Sequence, residues 1–181
     1  MPRKGQQLED WGEEVIDGTP TVNSGAKYED ADMKVGGVGG RLYEFKSSAG
    51  TGGISIRRDH VRLLLERAIK LTRDPVFIFR NNKNMTIALV PFVIFNKRMK
   101  QFDEHGYYPE NVQALQHAFQ TLPQIQSKGD NIRIPEKDLK DAMELNGVMI
   151  YRQKNGIPWV VMEAMTWLEF IGDKKEVTEE R

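Results

Sequence analysis

Two carboxylates and a lysine stand close together in this chain: Asp32, and twelve residues later Glu44-Phe45-Lys46. Between them, Gly36-Gly37-Val38-Gly39-Gly40 predicts a turn. Before the turn, Ala31, Met33 and Val35 alternate with Asp30, Asp32 and Lys34, the period of a strand over 29–35. After it, Tyr43 and Phe45 alternate with Leu42, Glu44 and Lys46, which predicts a second strand over 41–47. Residues two apart on a strand share a face. Met33, Val35, Tyr43 and Phe45 therefore predict an apolar face, with Asp30, Asp32, Glu44 and Lys46 on the other. If residues 36–40 form the loop, Val35 pairs with Arg41, Asp32 lies opposite Glu44, and Asp30 lies opposite Lys46. Like charges directly opposite on a sheet are destabilising. A divalent cation would relieve the repulsion, because Mg²⁺ takes hard oxygen ligands, often one or two carboxylates with waters and a substrate phosphate. Lys46 would add a positive charge beside such a cation, close to where a scissile phosphate would bind. A hairpin with a merely polar face is the alternative, and it leaves the like-charge pair unexplained.

The elements around the hairpin follow from periodicity. Leu8, Trp11 and Val15 predict a helix over 6–15, and 17–24 reads as a loop. A glycine-rich loop over 49–53 leads into a short strand, Ile54-Ser55-Ile56. Val61, Leu64, Leu65, Ala68, Ile69 and Leu71 form the buried stripe of a helix over 60–71. Strands follow over 76–79 and 86–90, joined by the turn Asn81-Asn82-Lys83-Asn84, and then helices over 92–102 and 111–122. The remainder echoes this run: a strand at Ile132-Arg133-Ile134, a helix over 138–145, a strand over 148–152, the turn Lys154-Asn155-Gly156, a strand over 158–162 and a helix over 163–171. Arg80 and Arg152 fall in matching places before the two turns. The echo has no acidic pair and no Glu-x-Lys, so it reads as structural or DNA-contacting. Residues 173–181 read as a frayed, charged tail.

An Asp at the end of one strand with Glu-x-Lys on the next resembles the PD-(D/E)XK nuclease superfamily. Ser24-Gly25-Ala26 ahead of Asp32 is similar to the serine-containing segment of archaeal and phage Holliday junction resolvases. The order helix, three strands, helix, strand is similar to that superfamily's core, and the likeness covers roughly residues 7–81. It implies an α/β fold: a restriction-endonuclease-like αβββαβ core, a mixed central sheet flanked by helices, over 1–91. An α+β extension over 92–172, readable as a degenerate repeat, and the tail at 173–181 complete the chain. It implies a metal-dependent endonuclease that cuts branched DNA as a homodimer, with Mg²⁺ or Mn²⁺ as cofactor. A nuclease of the same fold acting on linear duplex, flaps or restriction-like sites is the alternative, and a non-catalytic DNA binder is the second. Asp32, Glu44 and the Phe45 carbonyl would hold the metal, and Lys46 would orient the attacking water or stabilise developing charge. Relatives often add a Glu from the first helix. Glu9, Glu13 and Glu14 are all open to that role, with Glu14 nearest the edge of the apolar stripe. Ser24, Lys27, Ser47, Ser48, Arg57, Arg58 and Arg62 are the candidate DNA-backbone contacts.

Composition agrees with a nucleic-acid enzyme. The 181 residues carry no net charge, yet 57–100 hold eleven Lys or Arg against three acids. That basic middle directly follows the acidic pair, as a phosphate-binding surface beside a metal site requires. There is no cysteine, which excludes disulfides and thiolate chemistry and fits an intracellular, cytoplasmic protein, phage-encoded if the resemblance holds. His60, His105 and His117 lack zinc-ligand spacing. No apolar run has the length of a membrane span, and the N-terminus does not read as a signal peptide. The glycines at 36–40 precede a strand, not a helix, and no Gly-Lys-Ser/Thr follows, so a phosphate-cradling loop is rejected. Trp11, Trp159 and Trp167 are expected in the core.

Overall fold

The computed structural model describes residues 3–21, 32–48, 50, 52–105, 124–145 and 147–176. The chain runs α1 (Lys4–Val15), β1 (Thr19–Pro20), β2 (Met33–Val35), β3 (Arg41–Ser47), β4 (Ile54–Ile56), α2 (Arg58–Leu71), β5 (Asp74–Arg80) and β6 (Thr86–Pro91). It continues through α3 (Phe92–His105), β7 (Gln124–Gln126), β8 (Ile132–Ile134), α4 (Glu136–Leu145), β9 (Val148–Arg152), β10 (Pro158–Glu163) and α5 (Ala164–Ile171). The helix expected over 111–122 lies outside the described residues, as do Ser24, Lys27 and Asp30.

Eight strands form one sheet in the order β1-β2-β3-β5-β6-β10-β9-β7, while β4 and β8 pair in a separate ribbon. β3 runs parallel to β5 and β7 parallel to β9; the other pairs are antiparallel. The α/β fold with a mixed central sheet flanked by helices is the one observed. One strand differs from expectation. The strand at 54–56 does not enter the main sheet, and the third strand beside β2 and β3 is β1, in a stretch expected to be loop. β1 is two residues long and lies at the sheet edge, where Pro20 needs no ladder donor, so it carries no periodic signal.

Helices cover both faces of the sheet. On one, α1, α3 and α5 pack over Tyr43, Phe45, Val76, Ile78 and Val160. On the other, α2, α4 and the β4–β8 ribbon pack over Leu42, Phe77, Phe79, Leu89 and Val161. Strands buried on both sides read as unbroken apolar runs, which is why 76–79 and 86–90 were legible. Each core draws on residues from both sides of position 92, so the sheet and its two layers are continuous through both halves. Trp159 and Trp167 are fully buried, and Trp11 is partly buried with the Arg80 guanidinium 5.6 Å from its ring centre.

Two further expectations are corrected. Ile69, expected in the buried stripe of α2, is 80% exposed; the helix turns Val61, Leu64 and Ala68 to the sheet, and Ile69 falls away from them. The start of the C-terminal tail is anchored. Gly172 ends α5 with φ +85°, a left-handed conformation suited to glycine, and turns the chain back toward β3. Asp173 is then 1% exposed, and Lys175 N–H donates to the Val15 carbonyl at 2.8 Å. Among the described residues, no helix is long and apolar enough to cross a membrane.

Candidate active site

The β2–β3 ladder pairs Met33 with Tyr43, Lys34 with Leu42 and Val35 with Arg41, the register expected from the loop length. One step beyond the ladder, that register sets Asp32 beside Glu44. The Phe45 N–H donates to Asp32 Oδ2 at 2.7 Å, which pins the Asp32 carboxylate to the middle of Glu44-Phe45-Lys46. Thr21 N–H donates to the Asp32 carbonyl at 3.0 Å and holds the same residue from the side of β1. Tyr43 and Phe45 point into the layer under α1, so Glu44 and Lys46, on the alternate positions, face the side of α2.

Glu44 is half-sheltered, with 16% of its side chain exposed, and Lys46 Nζ lies 3.2 Å from its Oε1. Burial and then the Asp32 charge push the Glu44 carboxyl above the usual carboxylate range, and Lys46 and Arg67 pull it back only in part. The Asp32 charge thus adds to burial in raising the Glu44 carboxyl, and the two cations oppose both. Two cationic or titratable groups near it were given no role from the sequence. His60 and Arg67 are seven residues apart on α2, with Leu64 between them, so they share one helix stripe. Burial, then the charges of Lys46 and Arg57, lower the His60 pKa, and Arg67 acts on Glu44. The i, i+4, i+7 spacing of His60, Leu64 and Arg67 was the available signal.

The α1 acid that shares this field is Glu9. Burial and then Asp32 raise its pKa, whereas Glu14 is exposed. The reason is how α1 sits. It buries Leu8 and Gly12, with the Phe45 ring against Gly12, and leaves Trp11 and Val15 only partly covered. That rotation brings Glu9 toward the sheet and turns Glu14 away. Among the described residues, no three acidic or histidine side chains converge as a ready-made metal cage. The donor set nevertheless suits a hard cation that keeps most of its waters, since two carboxylates meet and repel each other here.

Arg57, Arg58 and Arg62 all project from the start of α2, the helix that carries His60. Arg57 is 3.2 Å from Asp59, and Arg58 is 3.1 Å from Asp130. Exposed pairs of this kind are worth little. Ser47 is exposed, and Ser48 N–H donates to the Arg80 carbonyl at 3.0 Å.

No protein-family model matches the chain. No curated protein matches it either. Among solved structures, it is similar to Archaeoglobus fulgidus Hjc, a Holliday junction resolvase from an archaeal hyperthermophile, at 15% identity and a TM-score of 0.38. That match covers 46% of this chain and 72% of the other.

Proposed function

We propose that this protein is a metal-dependent DNA endonuclease of the PD-(D/E)XK type. The observation that carries the reading is the placement of Asp32 beside Glu44 across two strands, with Lys46 ion-paired to Glu44. Asp32, Glu44 and the Phe45 carbonyl would hold Mg²⁺ or Mn²⁺, and Glu9 is better placed than Glu14 to support them. The bound ion would supply Lewis acidity and an activated water. Hydrolysis joins the water oxygen to phosphorus, breaks one P–O ester bond, and leaves one proton for the departing alkoxide. Lys46, whose Nζ lies 3.2 Å from Glu44 Oε1, would stabilise the charge growing on the phosphate. His60, held toward its neutral form, is free to accept a hydrogen bond at the same site. Arg57, Arg58 and Arg62 would position the backbone without reading sequence. The preference for branched DNA rests on the sequence resemblance.

The test uses a four-way junction, a flap and a linear duplex, each with Mg²⁺ and with EDTA. The junction should be cut only with Mg²⁺. Asp32→Asn and Lys46→Ala should each slow cutting by about 10²–10⁴-fold, the several kcal/mol that metal-linked charge stabilisation is worth. If the wild type binds all three DNAs and cuts none, the nuclease reading is wrong. If linear duplex is cut as fast as the junction, the branched preference goes and the nuclease stands.

A further inference from the structure

The two halves of the described chain repeat one another. β3-β4-α2-β5-β6-α3 and β7-β8-α4-β9-β10-α5 have the same order of elements. In each half the first strand is parallel to the strand after the helix, and that strand is antiparallel to the next. The registers also coincide. Phe77 pairs with Leu89 and Met149 with Val161, a constant shift of 72 positions (77 to 149, 89 to 161). Under that shift Leu89 corresponds to Val161, and those two residues pair with each other where the halves meet. The ribbon repeats too, with a shift of 78 positions (54 to 132, 56 to 134). Ile54 and Ile56 correspond to Ile132 and Ile134, and the central residues Ser55 and Arg133 pair with each other.

A two-fold axis therefore passes between Leu89 and Val161 and between Ser55 and Arg133. One side-chain contact repeats across it. Asn81, just after Arg80, donates from Nδ2 to the Gly52 carbonyl at 2.8 Å. Gln153, just after Arg152, donates from Nε2 to the Asp130 carbonyl at 2.7 Å. Each acceptor lies two residues before its ribbon strand.

The halves differ at the site. Phe45 pairs with Ile78, and Gln124 pairs with Ile150, which is Ile78 shifted by 72. Gln124 thus takes the place of Phe45 and Ile125 that of Lys46, and in the sequence a proline precedes Gln124 where Glu44 precedes Phe45. Among the described residues, the place of the Lys46 cation is taken by an apolar residue in the second half.

We propose that this chain is a two-fold dimer fused into one polypeptide, with one working site. A single molecule cuts one strand per encounter, and the second half holds DNA that it does not cut. This rests on the nuclease reading above. The surface that would join two copies about such an axis is already consumed, since Leu89 and Val161 are fully buried inside the chain. A two-fold body also matches the approximate two-fold symmetry of paired DNA arms. Both halves line a cleft of about 500 Å³: Arg58, Arg62 and Glu66 of α2, and Asp130, Lys154 and Asn155 of the second half, with Asp130 bonded to both Arg58 and Asn155. That cleft offers phosphate-positioning cations from both sides of the axis.

The test measures particle mass by light scattering, with and without a four-way junction, and follows each junction strand with its own label in Mg²⁺. The expected particle is one chain, 20.8 kDa. One strand should be cut per encounter, so trapping released protein with excess unlabelled junction should suppress the second cut. Lys154→Ala should lower the slope of log affinity against log salt by about one while leaving the mass unchanged. A dimer that cuts two strands in one encounter overturns this inference and leaves the nuclease intact. A monomer that binds the junction and cuts no strand overturns the nuclease reading, and the nicking with it. An unchanged salt slope in Lys154→Ala overturns the holding role of the second half.

Discussion

At the scale of single residues, the candidate site is held in tension. Asp32 is fixed by the Phe45 N–H, Glu44 is sheltered beside it, and Lys46 answers only part of the charge. The folded state raises the Glu44 pKa, so it holds a proton more tightly there than in the unfolded chain. Ionised Glu44 therefore costs stability. The cost is full above the raised pKa and fades as pH falls through it toward the ordinary carboxylate value. Glu44→Gln should accordingly melt higher than wild type at neutral pH without divalent cations, and the gap should close in acid. Thermal melts across pH check this, and a gap that widens on acidification would refute the assignment. Adding Ca²⁺ or Mg²⁺ should reverse the order. Wild type would gain about 2.7 kcal/mol at a hundredfold excess of ion over its dissociation constant, and Glu44→Gln would gain far less.

At the scale of elements, what the sequence made legible was whatever repeats locally. The alternation of Met33, Val35, Tyr43 and Phe45 and the five-residue loop yielded the β2–β3 register, and with it Asp32 beside Glu44. The unbroken apolar runs of β5 and β6 yielded the central strands. What stayed hidden depends on contacts far apart in sequence. Nothing local tells Ile54-Ser55-Ile56 to pair with Ile132-Arg133-Ile134 and leave the sheet. The choice between Glu9 and Glu14 likewise turned on the rotation of α1, which Gly12 sets by admitting the Phe45 ring. A Cβ at position 12 would lie 2.4 Å from Phe45 Cζ. Gly12→Ala should therefore destabilise the protein by about 1–3 kcal/mol through overpacking, even though alanine favours a helix by roughly 1 kcal/mol over glycine. Chemical denaturation measures the loss. Adding Phe45→Leu in the same chain should recover part of it, whereas two additive losses would mean that the ring and the helix do not meet as described.

At the scale of the whole molecule, the last described residues lock the two ends of the sequence onto one strand. Composition alone made 173–181 look like a loose charged tail, because the partners of Asp173 lie more than 120 residues earlier. Its carboxylate accepts from Arg41 Nε at 2.8 Å, from Arg41 Nη2, and from the Tyr43 hydroxyl, which in turn accepts from Trp167 Nε1 at 3.1 Å. Burial first, and then the Asp173 charge, push the Tyr43 pKa well up, so the phenol stays protonated as a donor. This knot sits on β3 next to Glu44-Phe45-Lys46, so the C-terminus braces the strand that carries the candidate site. Asp173→Ala would leave Arg41 and the Tyr43 hydroxyl facing a void. Removing one partner of a buried pair costs about 3–5 kcal/mol, and here about 2–4 is expected, because Arg41 keeps 21% of its side chain in water. The melting temperature should fall by roughly 4–16 °C, given about 2–4 °C per kcal/mol for a chain of this length. Lys175→Ala, which removes an exposed side chain whose Nζ donates to the Glu13 carbonyl at 3.3 Å, should change it much less. If Asp173→Ala melts like wild type, the tail does not brace β3, and the strand is held by its neighbours β2 and β5 and by the helices over it.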